Sequence, residues 1–381
     1  MDFGWPVKEQ ELYENILSFA RQRLNSGVTE RERDHRFGHD EWRLCGEHGL
    51  LGLCLPERYG GLGLSAVATA RMIEAFGRGC EDAGLVFSAS AHLFACATPI
   101  AHHAPEELRE RVLPRLASGD WIGANAITEA EAGSDIFSMK ATAVRDGADY
   151  ILNGEKSYVT NGPVADVVVV FAVTNPAHGY LGVSAFVVER GTPGLVAGKP
   201  FTKMGLTTSP ICSMYLDGCR IPATQRLGDE GQGAAVFADS MRWERACLFA
   251  GYTGSMERQL DRTIAHARAR RQFKKPIGKH QAIAHRIADM KLRLEAARLL
   301  LYRACWALDQ GGDPTLEVSL AKLAVSEAAI ESSLDAIHIH GGAGFIQEMG
   351  VERSLRDAVP ATLFSGTSEI QRDLIAKRLG L

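Results

Sequence analysis

Apolar residues recur at helical spacing over the first 120 residues of the chain. In residues 9–24, Leu12, Ile16 and Ala20 fall close to a period of 3.6, which predicts an amphipathic helix. The same spacing predicts three further helices over residues 65–76, 83–100 and 105–118. This part of the chain is therefore expected to be a helical domain.

The pattern changes near residue 121, where short runs rich in β-branched residues begin to alternate with turn signals. Asp146-Gly147 and Asn153-Gly154 stand between such runs, and these dipeptides are typical of tight hairpins. Strands are predicted over residues 141–144, 150–152, 158–160, 167–173 and 183–188. The stretch up to about residue 231 is expected to be all-β, a small barrel or sandwich.

Long helical periods return after Gly233, over residues 234–269, 281–310 and 316–340, and residues 365–381 offer a last helix. Helices of this length are typical of a bundle, here a four-helix bundle. The whole chain is thus predicted to be α+β and mainly α. Its expected divisions are an N-terminal helical domain (1–120), a middle β domain (121–231) and a C-terminal helical bundle (232–381).

Charge and composition limit the classes of protein to which this chain can belong. The 42 Lys and Arg residues nearly balance the 46 Asp and Glu residues, giving a net charge of −4, so we expect no nucleic-acid partner. The N-terminus lacks the basic start of a signal peptide, and no apolar run is long enough to span a membrane. The eight cysteines form no CxxC pair. A cytoplasmic protein with reduced thiols and no membrane partner is expected.

Two loops could bind a cofactor or another ligand. Ile127–Asp135 is dense in small hydrogen-bonding residues where the β section opens. Its backbone N–H groups and the hydroxyls of Thr128 and Ser134 could hold a cofactor, although a plain polar loop has the same composition. Gly341–Gly344 follows an apolar helix and permits close approach of a ligand, or simply ends the helix.

The most basic stretch of the chain could contact a pyrophosphate or an acidic partner, or be a solvated helix end. Its members are Arg268, Arg270, Arg271, Lys274, Lys275 and Lys279. The histidine pairs His102-His103 and His338-x-His340 have no third ligand at a recognised spacing, so no metal is expected. The sequence also lacks a nucleophile elbow, a Walker loop and a dinucleotide-binding glycine fingerprint.

Glu244 is an unusual carboxylate. In a helix over residues 234–269, Ser240, Cys247 and Leu248 share its face, which is small and apolar. Burial there would raise the pKa of the carboxyl group and suit it to accept a proton. Residue spacing alone leaves a second interpretation open, in which Glu244 forms an ion pair with Arg245 at the edge where the helix packs.

Five segments in the same order together resemble the acyl-CoA dehydrogenase family, over essentially the whole chain. They are Ile127–Asp135, Tyr150–Gly162, Arg270–Phe273, Gly341–Phe345 and Ser365–Gln371. The resemblance implies the three-part fold of that family, an FAD cofactor and assembly as a homotetramer.

Carried over by position, the resemblance implies three groups of FAD contacts. Residues expected beside the flavin and its pyrophosphate are Asn125, Ile127, Thr128, Ser134, Tyr158 and Thr160. Residues expected to reach FAD in a neighbouring subunit are Arg270, Gln272, Phe273, His338, Gly341 and Gly342. Thr367 and Glu369 are expected near the adenosine end, and substrate contacts are expected from Ser134, Arg245 and Phe364.

The resemblance also bears on the catalytic base. Many members of the family carry the catalytic Glu directly before the Gly-Thr of the last motif, where this chain has Ser365. A hydroxyl cannot serve as that base. A smaller branch places Glu on the earlier helix, one residue before an Arg, and Glu244-Arg245 matches that arrangement. The expected base is therefore Glu244.

Other segments are similar to enzymes of this family that act on carrier-protein thioesters. Asp239–Arg245, Lys291–Trp306 and Gly182–Phe186 resemble prolyl-carrier-protein dehydrogenases. The expected function is FAD-dependent oxidation of a prolyl thioester on a carrier protein to a pyrrolyl thioester, in secondary metabolism. The alternatives are an acyl-CoA dehydrogenase of branched-chain or fatty-acid catabolism, a flavin oxidase or monooxygenase, and a helical interaction protein without catalysis.

Overall fold

Helices, a β section and long helices follow one another along the chain, in the order predicted. A computed structural model describes residues 4–381. Its α-helices are α1 (Val7–Arg23), α2 (Val28–Arg33), α3 (His39–Glu47), α4 (Ala66–Gly79), α5 (Ala83–Ala91), α6 (Thr98–His103), α7 (Glu106–Ser118), α8 (Gly233–Trp243), α9 (Ala250–Ala269), α10 (Gln281–Asp309), α11 (Thr315–His340), α12 (Gly342–Phe345), α13 (Arg353–Ala358) and α14 (Ser368–Arg378). Its strands are β1 (Gly123–Ala126), β2 (Thr142–Asp146), β3 (Asp149–Thr160), β4 (Val167–Val173), β5 (Val183–Glu189), β6 (Leu195–Ala197), β7 (Ile211–Pro222), β8 (Arg226–Leu227), β9 (Arg271–Gln272) and β10 (Lys275–Pro276).

Two π-helical segments interrupt otherwise continuous helices. His92–Ala97 joins α5 to α6, and Glu244–Leu248 joins α8 to α9. Such segments are rare and often mark functional sites, because the wider turn redirects side chains. The helical stretch Ala83–His103 is apolar and long enough to cross a membrane by composition alone, but 89% of its apolar window is buried inside the protein. It is therefore a core helix of this fold.

The middle section is a mixed eight-stranded sheet. Its strand order is β6-β7-β3-β2-β4-β5-β8, and β1 pairs in parallel with β4. Successive side chains of β4 point to opposite faces. Val168 and Val170 enter a core belonging to the sheet, whereas Val167 and Val169 join the main core shared with the helices. The sheet is thus buried on both faces along this strand.

One of the two predicted hairpins is present and the other is wrong. Asp146 pairs with Asp149 across the turn at Gly147, as expected. Asn153-Gly154 instead lies inside β3, where the pairing with β7 shifts register. Gly154 has φ +141°, and a Cβ there would lie 2.6 Å from the Ala141 Cβ. The glycine is required by a bulge packed against a neighbouring segment, so it does not mark a turn.

The C-terminal helices form a bundle in which α10, α11 and α14 pack around α9 and the π-helical segment. A buried carboxylate ties this bundle to the N-terminal helices. Glu74 on α4 accepts hydrogen bonds from Arg298 Nε (2.7 Å) and from the Tyr302 hydroxyl, both on α10. Because the carboxylate is paired and hydrogen-bonded, its burial is compensated.

The loop that follows β1 is held by a buried ion pair. Glu129 Oε1 accepts from Lys156 Nζ at 2.7 Å, and the backbone N–H groups of Lys140 and Ala141 donate to the same carboxylate at 2.7 and 3.0 Å. Lys156 Nζ also donates to the Ile127 carbonyl oxygen at 3.2 Å. The Glu129–Lys156 pair therefore holds the start of the loop Ile127–Asp135, the candidate cofactor loop, in place.

We predict that Lys156→Met lowers the free energy of unfolding by about 3–5 kcal/mol, because it leaves the Glu129 carboxylate buried without its cation. Urea unfolding followed by circular dichroism measures this change. Lys140→Met is the matched control, since Lys140 is exposed and its backbone contact is kept, so the change should stay within about 0.5 kcal/mol. Equal stability of the two variants would contradict the role of the pair.

Candidate active site

Glu244 is the first residue of the π-helical segment between α8 and α9, and its side chain is buried. Only 8% of the residue is exposed. The Ser365 hydroxyl donates a hydrogen bond to its Oε1. The two residues are 121 positions apart in sequence, so the fold brings a carboxylate and a hydroxyl together in a site that is nearly closed to water.

The loop that carries Ser365 is held in a strained shape. Ser365 has φ +56°, and Gly366, next to it, has φ +87°. Arg245 Nε donates to the Ser365 carbonyl oxygen at 2.9 Å, and Gln371 Nε2 donates to the same oxygen at 3.2 Å and to the Gly366 oxygen at 3.0 Å. Non-glycine residues at positive φ persist where the surroundings over-determine them, often at functional sites.

Burial raises the pKa of Glu244. The hydrogen bond from Ser365 and the positive charges of Arg245 and Lys322 lower it, and burial outweighs them. Within residues 4–381, neither Glu244 nor Arg245 takes part in a salt bridge. The ion-pair alternative is therefore wrong, and Glu244 is a desolvated carboxyl group facing a hydroxyl, an environment suited to a proton acceptor.

Lys322 on α11 is a charged neighbour that sequence reasoning missed. It is fully buried, and its Nζ has no hydrogen-bond partner within the described part of the chain. The Nζ lies 5.8 Å from the centroid of the Phe249 ring. Burial lowers its pKa to about 8. A lysine on the apolar face of a helix, beside Val318, Ala321 and Val325, was a signal available in the sequence.

Aromatic rings pack beside the Ser365 loop. Phe364 contacts Phe87, Phe249 and Tyr252, with ring centroids 4.7, 5.5 and 6.4 Å apart. Phe364 directly precedes the serine that contacts Glu244, so these rings border the carboxylate site on one side. The contact between Phe364 and the substrate, which the resemblance implies, stays a prediction.

The residues expected beside the flavin lie at the ends of β1 and β3. Asn125 Nδ2 donates to the Ala95 carbonyl oxygen at 2.7 Å, and the Thr128 carbonyl oxygen accepts from Ser157 N at 2.8 Å. These bonds attach the first loop to the π-helical segment His92–Ala97 and to β3. Ser134 is exposed further along that loop.

Tyr158 and Thr160 lie near the end of β3. Tyr158 has φ +57° and is 64% exposed, with its ring 5.8 Å from that of Phe201. Asn161, which follows Thr160, has φ +63°, and its buried Oδ1 finds no partner among the described residues. An exposed aromatic ring on a strained strand end fits the face of a flat cofactor.

The residues expected to reach FAD in a neighbouring subunit lie around the turn between β9 and β10 and at the end of α11. Phe273, on the turn between β9 and β10, is 87% exposed, and its nearest ring within residues 4–381 is that of His280, 5.9 Å away. His338 faces solvent and contacts Arg286 at 3.2 Å. A Cβ added at Gly341 or Gly342 would meet nothing within 4 Å. Within residues 4–381, no hydrogen bond or ring contact joins these residues to Tyr158.

The remaining candidates are at the start of α14. The Thr367 hydroxyl oxygen accepts from Ile370 N at 3.3 Å and caps the helix, while Glu369 is exposed in its first turn. Of the seven non-glycine residues with positive φ in residues 4–381, four lie in the segments that resemble the family, namely Tyr158, Asn161, Phe273 and Ser365. A fifth, Lys274, directly follows one of these segments. Backbone strain thus concentrates where the cofactor is expected, and the residues present fit FAD.

The adjacent histidines of α6 meet a carboxylate that sequence spacing could not reveal. His102 Nδ1 and His103 Nε2 lie 2.7 and 3.0 Å from the same Asp239 oxygen, on α8. Those are hydrogen-bond distances, and the group holds α6 against α8, the helix that directly precedes Glu244. The side chains of His338 and His340 have different partners, because His340 stacks on His266 with centroids 4.2 Å apart whereas His338 contacts Arg286.

Comparison with known proteins decides the family. Models of the N-terminal, middle and C-terminal domains of acyl-CoA dehydrogenases match residues 7–120, 124–219 and 231–380. The chain belongs to the acyl-CoA dehydrogenase family. It is therefore an FAD-dependent oxidoreductase that dehydrogenates an acyl thioester, with the helical, β and helical sections of that fold.

Among its relatives, the chain is similar to two L-prolyl-[peptidyl-carrier protein] dehydrogenases. It is 51% identical to the one from Pseudomonas fluorescens, over 100% of both chains. It is 45% identical to the one from a Serratia species, over 100% of this chain and 99% of the other. A solved structure described as PigA with FAD and proline is 44% identical and superposes with a TM-score of 0.98, over 100% of both chains.

We predict that Ser365→Ala shifts the acid limb of the pH profile of kcat/KM to higher pH. The hydroxyl donates to the Glu244 carboxylate and lowers the pKa of that group, so its loss raises the pKa and leaves less of the base ionised. A hydrogen bond to a charged group is worth about 1.5–3 kcal/mol, so kcat/KM on the acid limb should fall about tenfold. An unchanged profile would contradict the contact. Ser368→Ala, a buried serine nearby on α14, is the control.

We predict that Lys322→Met raises the free energy of unfolding near pH 7, because it removes a buried cation that has no hydrogen-bond partner. The pKa of Lys322 is about 8 in the folded protein and near 10.5 when unfolded. The unfolded chain therefore binds more protons between these values, and the wild type gains up to about 3 kcal/mol as pH rises through them. The stability difference between variant and wild type should shrink over that range.

Denaturant titrations at several pH values measure this difference. Lys377→Met, an exposed lysine at the end of α14, is the matched control and should show no such pH dependence. A variant that is less stable than the wild type at pH 7 would contradict the description of Lys322 as a desolvated charge.

Proposed function

We propose that the protein oxidises the L-prolyl group of a peptidyl carrier protein thioester to a pyrrolyl group, in secondary metabolism. Full-length identity of 51% and 45% to two L-prolyl-[peptidyl-carrier protein] dehydrogenases supports the substrate class. Similarity to PigA, whose structure holds FAD and proline, supports a site of matching size.

The observation that carries the proposed chemistry is the buried Glu244 carboxylate opposite Ser365. Most thioester dehydrogenations begin by removing a proton from the carbon next to the carbonyl, which the carbonyl group acidifies. Glu244 acts as the general base for that proton. Its raised pKa brings it nearer the pKa of its donor, and a placed base of this kind contributes about 10²–10⁴ in rate.

The rest of the site orients Glu244. Ser365 donates to one carboxylate oxygen, which fixes the side-chain rotamer. Arg245 holds the Ser365 carbonyl oxygen at 2.9 Å and so keeps the loop in place. Phe364 and its neighbouring rings exclude water from the reacting carbon. FAD, when bound, supplies the redox chemistry by accepting the β hydrogen as hydride. Conversion to the pyrrole requires a second two-electron oxidation, for which the reduced flavin would first have to be reoxidised by an external electron acceptor, and aromatic stabilisation of the pyrrole favours that second step.

For the cofactor, we propose the residue roles that the resemblance to the family implies. Asn125, Ile127, Thr128, Ser134, Tyr158 and Thr160 hold the flavin and pyrophosphate, with Thr367 and Glu369 near the adenosine. Arg270, Gln272, Phe273, His338, Gly341 and Gly342 complete the site of a neighbouring copy. Phe273 is 87% exposed among basic residues, so its ring is free to contact FAD in a neighbouring copy. A homotetramer is the proposed assembly, and a cytoplasmic location remains a prediction.

The test of this function uses holoenzyme and one carrier protein loaded with different acyl groups. We expect flavin bleaching with the prolyl-loaded carrier, with mass spectrometry showing loss of hydrogen from the thioester. Bleaching only by branched-chain or fatty acyl-CoA would replace the proposal with catabolic acyl-CoA oxidation. A high yield of peroxide under air would indicate an oxidase.

Glu244→Gln is the matched variant for the base. It keeps the size of the side chain and its contact with Ser365 while removing the titrating group. We expect the variant to bind FAD and lose bleaching by at least about 10³-fold. Adding Ser365→Glu to it should restore part of the rate, because that position contacts the same carboxylate. Bleaching of Glu244→Gln at the normal rate would reject Glu244 as base.

A further inference from the structure

The last two residues of α6, His102 and His103, meet Asp239 of α8 at one point of the fold. His102 Nδ1 and His103 Nε2 lie 2.7 and 3.0 Å from the same Asp239 oxygen, and all three atoms lie within 4.8 Å of one another. Among residues 4–381, no other three His, Cys, Asp or Glu side chains bring their ligand atoms together in this way. The proposed dehydrogenation makes no use of this cluster.

The fold supplies the ligand that the sequence does not show. Spacing along the chain predicts no metal at these histidines, because nothing near them provides a third ligand. Asp239 is 136 residues beyond His103 and reaches it because α8 packs against α6. Two imidazoles and one carboxylate form a set of three protein ligands that zinc sites use when a water molecule takes the fourth position.

The separations of the three atoms are close to those of a coordination shell. Two ligands at about 2.0–2.1 Å from a tetrahedral Zn²⁺ lie about 3.4 Å apart. The two nitrogen–oxygen distances are slightly shorter than this, at 2.7 and 3.0 Å. In a neutral imidazole, the nitrogen that faces a carboxylate carries the donated proton. An ion that takes the place of these two protons therefore requires only small movements of the side chains.

The backbone around the histidines is fixed, and solvent can reach the cluster. Gly228 N donates to the His103 carbonyl oxygen at 2.8 Å, and Arg109 Nη2 donates to the His102 carbonyl oxygen at 3.2 Å. The three ligand side chains are between 21% and 41% exposed, so an ion can enter without opening the core. The helical stretch Ala83–His103 ends at the histidines, and the C-terminus of a helix favours a positive charge.

We propose that His102, His103 and Asp239 bind a divalent first-row transition metal ion, Zn²⁺, with water completing its coordination. Imidazole ligands suit Zn²⁺, whereas Mg²⁺ and Ca²⁺ prefer oxygen ligands throughout. The ion joins α6, which directly follows one π-helical segment, to α8, which directly precedes the other. It acts as a clamp between two helices and requires neither substrate nor FAD, so the inference is independent of the proposed function.

The test titrates holoenzyme, first treated with a chelator, with ZnCl₂ in a calorimeter. We expect one Zn²⁺ per chain to bind at this site. Because an ion that binds only the folded state stabilises it, Zn²⁺ at about 100 times its Kd should raise the Tm by about 3 °C. The same concentration of Mg²⁺ should leave the Tm unchanged.

His103→Gln and Asp239→Asn are the test variants. Each keeps a side chain that can form a hydrogen bond across the cluster while removing a metal ligand. We expect each to weaken Zn²⁺ binding by at least about tenfold, because even the loss of a group that only orients a ligand costs about 10–100-fold. His285→Ala is the matched control, since His285 is an exposed histidine on α10 outside the cluster, and its Zn²⁺ affinity should equal that of the wild type.

Anomalous diffraction at the zinc absorption edge locates the ion in crystals of the holoenzyme soaked with ZnCl₂. We expect a peak between the two imidazoles and the Asp239 carboxylate. Zn²⁺ binding of equal affinity in the wild type, His103→Gln and Asp239→Asn would overturn the site, as would a wild type that binds no Zn²⁺. Flavin content reports the folding of each variant, and Asp239→Asn carries the test if His103→Gln does not fold.

Discussion

The interaction on which this site depends is a single hydrogen bond between a buried carboxyl group and a hydroxyl, Glu244 and Ser365. A carboxylate removed from water normally requires a cation or several donors, and here the direct partner is one neutral hydroxyl. Two positive groups, Arg245 and Lys322, act on Glu244 through space without forming a salt bridge to it. The carboxyl group therefore stays reactive, because its charged form is only partly stabilised.

Much of the surrounding structure keeps that arrangement in place. A π-helical segment sets the direction of the Glu244 side chain at the junction of α8 and α9. Arg245, the next residue, donates from its guanidinium group to the Ser365 carbonyl oxygen and so holds the Ser365 loop. The same helical segment therefore supplies both the Glu244 carboxylate and the residue that fixes its hydrogen-bond partner. Gln371 fixes the same loop from α14. The strained φ of Ser365 is maintained by these contacts from two sides.

The order of elements and the position of Glu244 on a buried helix face followed from the spacing of apolar residues. Burial of Ser240, Cys247 and Leu248 confirms that face. The hairpin predicted at Asn153-Gly154 is wrong, because a dipeptide that suits a tight turn suits a β-bulge equally well. Only the close approach of Ala141 to Gly154 in the folded chain distinguishes the two. The Ser365 contact could not be derived from spacing, since it joins residues 121 positions apart.

The contact between Glu244 and Ser365 also bears on the base proposed above, because the resemblance to the family implies a catalytic glutamate at one or the other of these two positions. Because the two side chains touch, a carboxylate on either one would reach nearly the same point beside the substrate carbon. Selection for a base at that point fixes a location in space, and the residue that supplies it can change if the other becomes small and uncharged. Two glutamates there would repel each other and raise the pKa of one far above its working range. A serine in this position therefore follows from having the glutamate at 244.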